Sequence, residues 1–511
     1  MKVRKKAGAF ITNTESESQT IAAIATPRGT GGIAVIRISG PAAFEVGERI
    51  FRQKNKKYKS FAAIPPNIAV FGDIFAGDGG NSNSNSNSNS NIDEGLAVKF
   101  KSPHSYTGED TVEISCHGGI YITNAVLTAA ITAGARLAEP GEFTKTAYIN
   151  NKISLTGAEA VGRLINAVSE TGAKLASAQS KGGLSRKIRA ISDKIKDIVS
   201  EVYVYIDYPG EDLTDMTPDI MLEKLYLIQD ELEYLKETYS IGRIISDGIN
   251  CAIIGKPNAG KSTLLNMLSR DDIAIVHDTP GTTRDIVYSR VNIGGFVLNL
   301  YDTAGIRTPD SEIENMGIDK ALAKIEECSL IIGVFDINDF DFDGDDQKIL
   351  EILNTAQKNK KKIIPVFNKC DLDINRDAEF NRDARRTPFG YGGVPYIYNI
   401  ETLMISAKNN TVLNSDISAF DAFGDYLEKI YKLGGYDLDS GEILTEERQY
   451  FEICAACENI NSAIFALING FTQDIAGLDL ELAVKNLDRC DSQAVSEDIV
   501  NRIFANFCIG K

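Results

Sequence analysis

A phosphate-binding loop motif constrains the fold of this chain more than any other feature of its sequence. Residues 255–262 read GKPNAGKS, which fits GxxxxGK[ST], and they lie between an apolar strand candidate and an apolar helix candidate. In such a loop the backbone N–H groups wrap phosphates, the lysine (Lys261) neutralises the terminal phosphates and the hydroxyl (Ser262) binds Mg²⁺. The motif therefore predicts an α/β domain that binds a nucleoside triphosphate.

Three further motifs follow this loop and identify the base. They resemble the phosphate-sensing and guanine-reading motifs of GTPases and read Asp302-Thr303-Ala304-Gly305, Asn368-Lys369-Cys370-Asp371 and Ser406-Ala407-Lys408. The Asp371 carboxylate can accept hydrogen bonds from both N1–H and the 2-amino group of guanine. Adenine would leave that carboxylate unpaired, and a missing partner of this kind discriminates by several powers of ten. The predicted ligand is therefore GTP rather than ATP.

The stretch between the phosphate loop and Asp302 is where a switch I loop belongs. It contains GTTRD at residues 281–285, and Thr283 is the candidate second Mg²⁺ ligand beside Ser262. After the DTAG motif the chain has Ile306, where Ras-like proteins carry a water-positioning glutamine. An apolar side chain cannot orient water, so hydrolysis must use another group.

Strand and helix candidates alternate around these motifs, which predicts a doubly wound domain with a largely parallel sheet. The strand candidates are Ile249–Ile254, Val297–Tyr301, Leu330–Phe335, Ile363–Phe367 and Leu403–Ser406. The chain before about residue 139 alternates short β-like runs with Gly and Pro turns, which suggests a small α+β domain.

Helical periodicity precedes the α/β segment and returns after it. This pattern suggests a P-loop GTPase domain inserted into a discontinuous all-helical domain, although two independent helical domains would give the same pattern. The predicted domains are 1–139 (N-terminal α+β), 140–245 (first helical stretch), 246–424 (GTPase) and 425–511 (second helical stretch). The helix candidates are Ala158–Val168, Ile188–Ile206, Leu222–Tyr239, Glu446–Leu467, Leu478–Leu487 and Glu497–Phe507.

Charge limits the possible nucleic-acid contacts. The 511 residues include 54 Lys plus Arg against 71 Asp plus Glu, a net charge of −17, which argues against a general DNA-binding coat. One basic cluster stands out within the first helical stretch. A solvated helix face is its favoured interpretation, and an RNA-binding patch is the alternative. The cluster comprises Lys181, Arg186, Lys187, Arg189, Lys194 and Lys196.

Cysteine usage and hydropathy point to a soluble cytoplasmic protein with no membrane partner. Cys454 and Cys457 form a lone CxxC, for which two buried thiols on a helix are favoured over a metal site. No stretch approaches the ~20 apolar residues of a membrane span, and the apolar run Ala7–Ile11 is too short for a signal peptide. The polar repeat Asn81–Asn91 predicts a disordered loop insertion. Residues 373–399 form a second insertion, without a functional interpretation.

With these motifs the chain resembles the tRNA-uridine modification GTPases of the MnmE/TrmE family along nearly its whole length. The resemblance rests on several separated motifs besides the GTPase set. They are Arg37-Ile38-Ser39-Gly40, SYTGED at 105–110, Val112-Glu113-Ile114, His117-Gly118-Gly119, PGEFT at 140–144 and the terminal Phe507-Cys508-Ile509-Gly510-Lys511.

The resemblance implies an activity and its partners. The family's N-terminal domain binds a formyl-tetrahydrofolate and forms a homodimer, and the protein forms a heterotetramer with an FAD-dependent partner of the MnmG type. Together they place a (carboxymethyl)aminomethyl group on C5 of the wobble uridine, position 34, of certain tRNAs. The G domain alone leaves an alternative open, a ribosome-assembly or signalling switch without tRNA chemistry.

The resemblance also assigns roles in GTP hydrolysis. GTPase domains dimerise across the nucleotide, and K⁺, which takes the place of an arginine finger, maps to Asn258, His277, Thr279 and Thr282. The family's water-orienting glutamate falls on Glu314, which would otherwise be interpreted as a solvent-facing helix carboxylate. Thr282, Thr283 and Lys261 complete the implied catalytic set. The predicted GTP contacts are Asn258, Ala259, Gly260, Lys261, Ser262, Thr263, His277, Asp278, Thr279, Pro280, Gly281, Thr282, Thr283, Asp302, Thr303, Ala304, Gly305, Asn368, Lys369, Asp371, Ser406, Ala407 and Lys408.

The implied folate site comprises Arg37, Glu113, Lys152 and Lys511. Basic groups suit the glutamate carboxylates of folate, and Glu113 can accept hydrogen bonds from pterin N–H groups. Cys508 is either a nucleophile, if Lys511 lowers the pKa of its thiol, or a packing residue, and the sequence leaves both open.

Overall fold

The computed structural model describes residues 19–55, 57–76, 91–207, 217–269, 289–301, 326–340, 344–372, 396–397, 400–413, 415–491, 496–505, 507 and 510. The chain divides into two compact units. The first comprises Met1–Gly162 with Asp488–Lys511, and the second comprises Arg163–Leu487. This twofold division does not test the four predicted domain ranges, which remain a prediction.

A seven-stranded sheet organises the first unit. Its order is β3-β4-β5-β6-β2-β1-β7, and β7 pairs parallel with β1 while the other pairs are antiparallel. Side chains alternate along β2, so that Ala34, Ile36 and Ile38 enter the core while Arg37 faces the other way. The strands are β1 Ile21–Ile24, β2 Gly31–Ser39, β3 Phe51–Gln53, β4 Val70–Phe75, β5 Asn91–Phe100, β6 Thr111–Gly118 and β7 Arg136–Leu137.

Helices α1 Ala43–Ile50 and α2 Ile120–Thr132 contribute to the core on one face of this sheet. A smaller apolar cluster joins Tyr148, Leu155, Ala158, Val500 and Phe504. It lies among three helices, α3 Glu142–Ile149, the start of α4 Leu155–Asn166, and α13 Glu497–Ala505. The end of the chain is therefore part of the first unit, and its helix stops two residues before the predicted Phe507.

An eight-stranded sheet forms the α/β portion of the second unit. Its order is β17-β16-β15-β12-β11-β8-β10-β9, and the five strands from β15 to β10 run parallel. Every residue of β11 is buried, which is typical of a strand covered on both faces. The predicted doubly wound domain is confirmed. Its strands are β8 Ile249–Ile254, β9 Ser289–Ile293, β10 Phe296–Tyr301, β11 Leu330–Asp336, β12 Lys362–Asn368, β15 Leu403–Ser406, β16 Thr411–Val412 and β17 Ser415–Ser418.

Three helices of the α/β portion are α8 Lys261–Leu268, α9 Asp345–Lys358 and α10 Ala419–Tyr431. The predicted insertion at 373–399 lies outside the described residues except for strand β13, Tyr396–Ile397, which pairs antiparallel with β14, Ile400–Glu401. The repeat Asn81–Asn91 likewise lies outside them, apart from Asn91 at the start of β5.

The remaining helices of the second unit form one core from two separated stretches. The Tyr239 and Tyr450 rings stack at 4.5 Å, and the Leu444 N–H donates to the Thr238 hydroxyl at 3.0 Å. The inserted arrangement is therefore confirmed, and two independent helical domains are excluded. The helices are α5 Glu170–Ser180, α6 Gly183–Asp207, α7 Pro218–Asp247, α11 Glu447–Ile468 and α12 Gln473–Asp491.

Helix α7 leads into the interior strand β8 through a single residue, Gly248, which has φ +79°. The Asn299 amide on β10 donates to the Asp247 carbonyl at 2.9 Å and to the Asn250 side chain at 3.1 Å. Ile241 and Ile245 share a buried cluster with β8 and β10 residues. The helical core and the sheet are thus joined by continuous packing and hydrogen bonds.

Helix α11 is the one helix of the described chain that could cross a membrane by length and composition. Its most apolar 18-residue window has a mean hydropathy of 1.4 and is 44% buried. The expectation that no stretch approaches a span was therefore too broad. A core helix passes the same test, and nine residues of α11 are buried in the helical core.

Candidate functional site

The phosphate loop connects a buried strand to an exposed helix start. Strand β8 ends at Ile254, and α8 begins at Lys261 after Gly260, which has φ +98°. A side chain at Gly260 would collide with the Asn368 amide, so the backbone can approach that residue only because position 260 is glycine. Asn258 also adopts a left-handed conformation, with φ +64°.

The Asn368 side chain joins three of the predicted motifs. Its amide nitrogen donates to the Ala259 carbonyl at 3.1 Å, and its amide oxygen accepts from the Ala407 N–H at 2.9 Å. Asn368 is buried, so both bonds are shielded from water. The Asn368 side chain therefore holds the phosphate loop, the NKCD motif and the SAK motif together.

Lys261, Ser262 and Thr263 open α8. The Lys261 amine donates to the carbonyls of Gly255 at 2.7 Å and Lys256 at 2.9 Å, which places it over the loop that would enclose phosphates. Ser262 and Thr263 lie at the accessible start of this helix. The Ser262 hydroxyl and the exposed Asn258 amide offer the oxygen ligands that Mg²⁺ and K⁺ prefer. The described residues therefore supply one suitable oxygen ligand for each ion.

The residues predicted to read guanine lie at the ends of β12 and β15. Asp371 is exposed, so its carboxylate is open to a ligand. Lys369 has φ +67°, and its amine contacts the Asp336 carboxylate at 2.7 Å. Ser406 is buried, and its hydroxyl accepts from the Asn409 N–H at 3.2 Å. The sequence predicted these residues, together with Lys408 after β15, but not the partner Asp336.

The remaining predicted GTPase residues cannot be placed. They lie outside the described residues and stay predictions: His277, Asp278, Thr279, Pro280, Gly281, Thr282, Thr283, Asp302, Thr303, Ala304, Gly305, Ile306 and Glu314.

In the first unit, the structure brings together two of the four predicted folate ligands. Arg37 on β2 lies opposite Glu113 on β6, and the Arg37 Nε atom is 2.8 Å from the Glu113 carboxylate. The Arg37 guanidinium lies 5.3 Å from the centre of the Tyr106 ring and 5.7 Å from that of Phe143. These aromatic residues were missed as site residues, although both belong to the SYTGED and PGEFT motifs.

A polar network surrounds Ser39, two residues after Arg37 on β2. Ser39 hydrogen-bonds the Thr107 hydroxyl at 2.7 Å and donates to the Glu109 carboxylate at 3.1 Å. Burial raises the pKa of Glu109; the Ser39 hydrogen bond opposes this shift, and the nearby charge of Glu142 adds to it. A carboxyl group with a raised pKa beside hydroxyl groups is a feature of functional sites as well as of buried networks.

The other two predicted folate ligands are less defined. The exposed Lys152 amine donates to the Pro103 carbonyl at 2.9 Å, and Lys511 lies outside the described residues, as does Cys508. Gly510 has φ +98° and packs so tightly on the Ile24 carbonyl of β1 that a side chain could not fit. Gly510 therefore lies against β1, the strand next to the one that carries Arg37.

Two further sequence interpretations were tested. Cys454 and Cys457 both lie on α11, but only Cys457 is buried, so the expectation of two buried thiols was half right. Among the described residues, no three or more His, Cys, Asp or Glu side chains are grouped closely enough to hold a metal ion by themselves. In the basic cluster, Lys187 and Lys194 both pair with Glu231, which favours a solvated helix face.

Comparisons with known proteins place these features in context. A family model described as the GTP-binding protein TrmE N-terminus matches residues 20–152, and one described as the MnmE helical domain matches residues 155–508. A tRNA modification GTPase MnmE from Acetivibrio thermocellus is 36% identical over 97% of this chain and 100% of its own length. The protein of the same name from Caldicellulosiruptor saccharolyticus is 35% identical over 97% of this chain and 100% of its own length. The one from Carboxydothermus hydrogenoformans is 35% identical over 96% of this chain and 99% of its own length.

Proposed function

The chain belongs to the MnmE family of tRNA modification GTPases, and from this premise we propose the chemistry, the cofactors and the partners of its reaction. It is a GTP hydrolase that acts in tRNA modification, with tRNA as substrate. With an FAD-dependent, MnmG-type partner it places a (carboxymethyl)aminomethyl group on C5 of the wobble uridine. The one-carbon donor is a formyl-tetrahydrofolate, and the protein works in the cytoplasm as a homodimer within a heterotetramer.

The observation that carries the one-carbon portion of the proposal is the Arg37–Glu113 pair. Its groups lie side by side on adjacent strands, within reach of the aromatic rings of Tyr106 and Phe143. Glu113 can accept from pterin N–H groups, while Arg37, Lys152 and Lys511 can bind the glutamate carboxylates of folate. A GTPase switch of ribosome assembly or signalling has no use for such a site.

The GTP portion of the proposal rests on the residues that Asn368 holds together. Lys261 binds the terminal phosphates, Asp371 reads guanine, and Ser262 with Thr283 holds Mg²⁺. Asn258, His277, Thr279 and Thr282 would hold K⁺, which would supply positive charge to stabilise the negative charge of the transition state. Glu314 orients the attacking water, and two G domains meet across the nucleotides. Cys508 is either a nucleophile or a packing residue.

Mass spectrometry of wobble uridines tests the proposed modification. Cells that lack this protein should lose C5-substituted uridine, and the wild-type gene should restore it. Arg37→Ala should fail to restore it, whereas Arg28→Ala, which changes an exposed arginine of the same unit, should succeed. Unchanged C5-substituted uridine in the cells that lack the protein would refute the proposed modification.

GTP hydrolysis by the purified full chain tests the ion and the water-orienting residue. We expect faster hydrolysis in K⁺ than in Na⁺, together with dimer formation in K⁺ when a transition-state analogue is bound. Glu314→Ala should lose turnover but bind GTP almost as well as the wild type. Equal rates in the two salts would remove the role of K⁺, and normal turnover of the variant would remove that of Glu314.

A further inference from the structure

The turn that follows β11 touches the guanine-reading loop but belongs to none of the GTPase motifs. The Asp336 carboxylate accepts from the Asn338 N–H at 3.0 Å and contacts the Lys369 amine at 2.7 Å. The Asn338 amide also donates to the Lys369 carbonyl at 3.3 Å. The Ile337 N–H donates to the Asn368 carbonyl at 3.2 Å. Both residues that open the NKCD motif are therefore held by this turn.

The other end of the same connection touches the phosphate loop. Lys256, a variable position of the GxxxxGK[ST] pattern, lies 2.9 Å from the Asp339 carboxylate and 3.2 Å from that of Asp346. Asp346 is in the first turn of α9 and is 0% exposed, whereas Asp339 is 80% exposed. An exposed ion pair contributes little to the stability of the fold. Removing the cation from a buried carboxylate, in contrast, strongly destabilises the fold. Asp346 therefore dominates this contact.

We propose that Asp336 and Asp346 are positioning residues for GTP, and that each sets one of the two loops that hold the nucleotide. Asp336 fixes Lys369 and with it the placement of Asp371, two residues further on, against the base. Asp346 fixes Lys256, which neighbours Gly255 at the start of the phosphate loop. One connection between β11 and α9 thus aligns the base-reading end of the site with its phosphate-binding end.

Removal of the two contacts should change nucleotide affinity in different ways. Loss of the Asp336 charge loosens the guanine-reading loop, so the preference for guanine should fall. Loss of the Lys256–Asp346 pair loosens the phosphate loop, which does not contact the base. All purine triphosphates should therefore bind less tightly by the same factor. General destabilisation of the fold would not separate the two effects.

Equilibrium binding of GTP and ITP to the full chain tests the proposal, because ITP lacks the 2-amino group that Asp371 reads. Asp336→Asn keeps the size of the side chain and the bond to Asn338 but loses the charge. It should lower the ratio of GTP to ITP affinity by about tenfold. The double variant Lys256→Met/Asp346→Asn removes both charges and leaves none buried alone. It should weaken GTP and ITP equally, by about tenfold, and Lys256→Arg should bind like the wild type.

Asp345→Asn is the matched control. Asp345 adjoins Asp346 on the same helix turn but is exposed, where it pairs with Lys348, and its loss should change neither affinity. Should Asp336→Asn fail to fold, Asp336→Glu moves the charge by one methylene, and the same ratio is measured. The proposal is overturned if the ratio stays at its wild-type value in the Asp336 variant. A GTP affinity unchanged by the double variant, or losses that simply follow the melting temperature of the nucleotide-free protein, would overturn it as well.

Discussion

Asn368 shows how much of a binding site can depend on one neutral side chain. Its amide supplies a donor to Ala259 and an acceptor to the Ala407 N–H from a buried position between β12 and the phosphate loop. A side-chain amide carries the donor and the acceptor on separate atoms, so both bonds can form at once. The asparagine of the NKCD motif therefore acts on the architecture of the site, whereas Asp371 of the same motif is the residue proposed to contact the base.

Asn368→Ala should lower the free energy of unfolding by about 1–3 kcal/mol, because it leaves a buried N–H without a partner. GTP affinity should fall by at least tenfold, since the phosphate loop loses its tether. Urea unfolding and equilibrium GTP binding measure the two effects. Asn469→Ala is the control: the amide of this exposed residue bonds only to its own helix end, so its loss should change stability by less than about 0.5 kcal/mol.

Glu142 should make the stability of the first unit sensitive to acid. Burial disfavours its charge, but hydrogen bonds from Arg136 and the Glu139 N–H outweigh burial and lower the pKa of Glu142 below its ordinary 4.5. A carboxyl group with a lowered pKa stabilises the fold above pH 4.5, and that contribution is lost as the pH falls through the folded-state value. The stability gap between wild type and Glu142→Gln should therefore narrow as the pH falls from 5 to 3. Urea unfolding across that range measures it, and a constant gap would contradict the prediction.

At the scale of elements, two helical glycines should respond to alanine in opposite ways. Alanine is normally the better helix former by about 0.5–1 kcal/mol. At Gly242 of α7, however, a side chain would collide with the Leu444 carbonyl, whereas at Gly477 of α12 it would lie at an ordinary 3.4 Å from Val202. Gly242→Ala should therefore destabilise the protein by about 1–3 kcal/mol.

Gly477→Ala provides the comparison and should be neutral or slightly stabilising. Denaturant unfolding of the two variants under the same conditions tests the pair. A stabilised Gly242→Ala variant would show that the backbone around Leu444 can yield, and the close approach would then have no energetic role.

The sequence predicted elements well where the apolar pattern is distinct. Helix α7 repeats its apolar residues every three or four positions, whereas β11 has a short apolar run from Leu330 to Phe335, whose length and β-branched residues favour a strand. Partners distant in sequence left no such signal. Lys256 and Asp346 pair across the phosphate loop and α9, and neither residue type at its position indicates the other. The composition of α11 is likewise ambiguous between a membrane span and a core helix. Hydropathy alone does not show whether other helices of the protein cover its apolar side chains.

The two candidate sites also differ in how far the sequence could predict them. The phosphate loop and the NKCD motif have fixed spacing, because phosphates and guanine impose it, and they could be recognised directly. The Arg37–Glu113 contact depends instead on the pairing of β2 with β6, across 76 positions of sequence. Family resemblance supplied those two residues, whereas the flanking rings of Tyr106 and Phe143 required the structure.

At the scale of the whole molecule, Asn299 should link the stability of the sheet to that of the helical core. Its buried amide bonds the Asp247 carbonyl at the end of α7 and the Asn250 side chain on β8. Asn299→Leu should lower the free energy of unfolding by about 1–3 kcal/mol and speed amide hydrogen exchange in both α7 and β8. Asn359→Leu, at an exposed site after α9, should leave exchange in α7 unchanged. Unaltered protection of the last turn of α7 in Asn299→Leu would contradict the link.

The junction at Gly248 has a mechanical consequence. Thirty residues of helix at about 1.5 Å each make α7 a rod of about 45 Å, rooted in the strand whose other end is the phosphate loop. A tilt of about 5° at that root sweeps the far tip of such a rod through about 4 Å. A small tilt of α7 where it joins β8 would thus displace the far end of the helical core by about the size of a side chain.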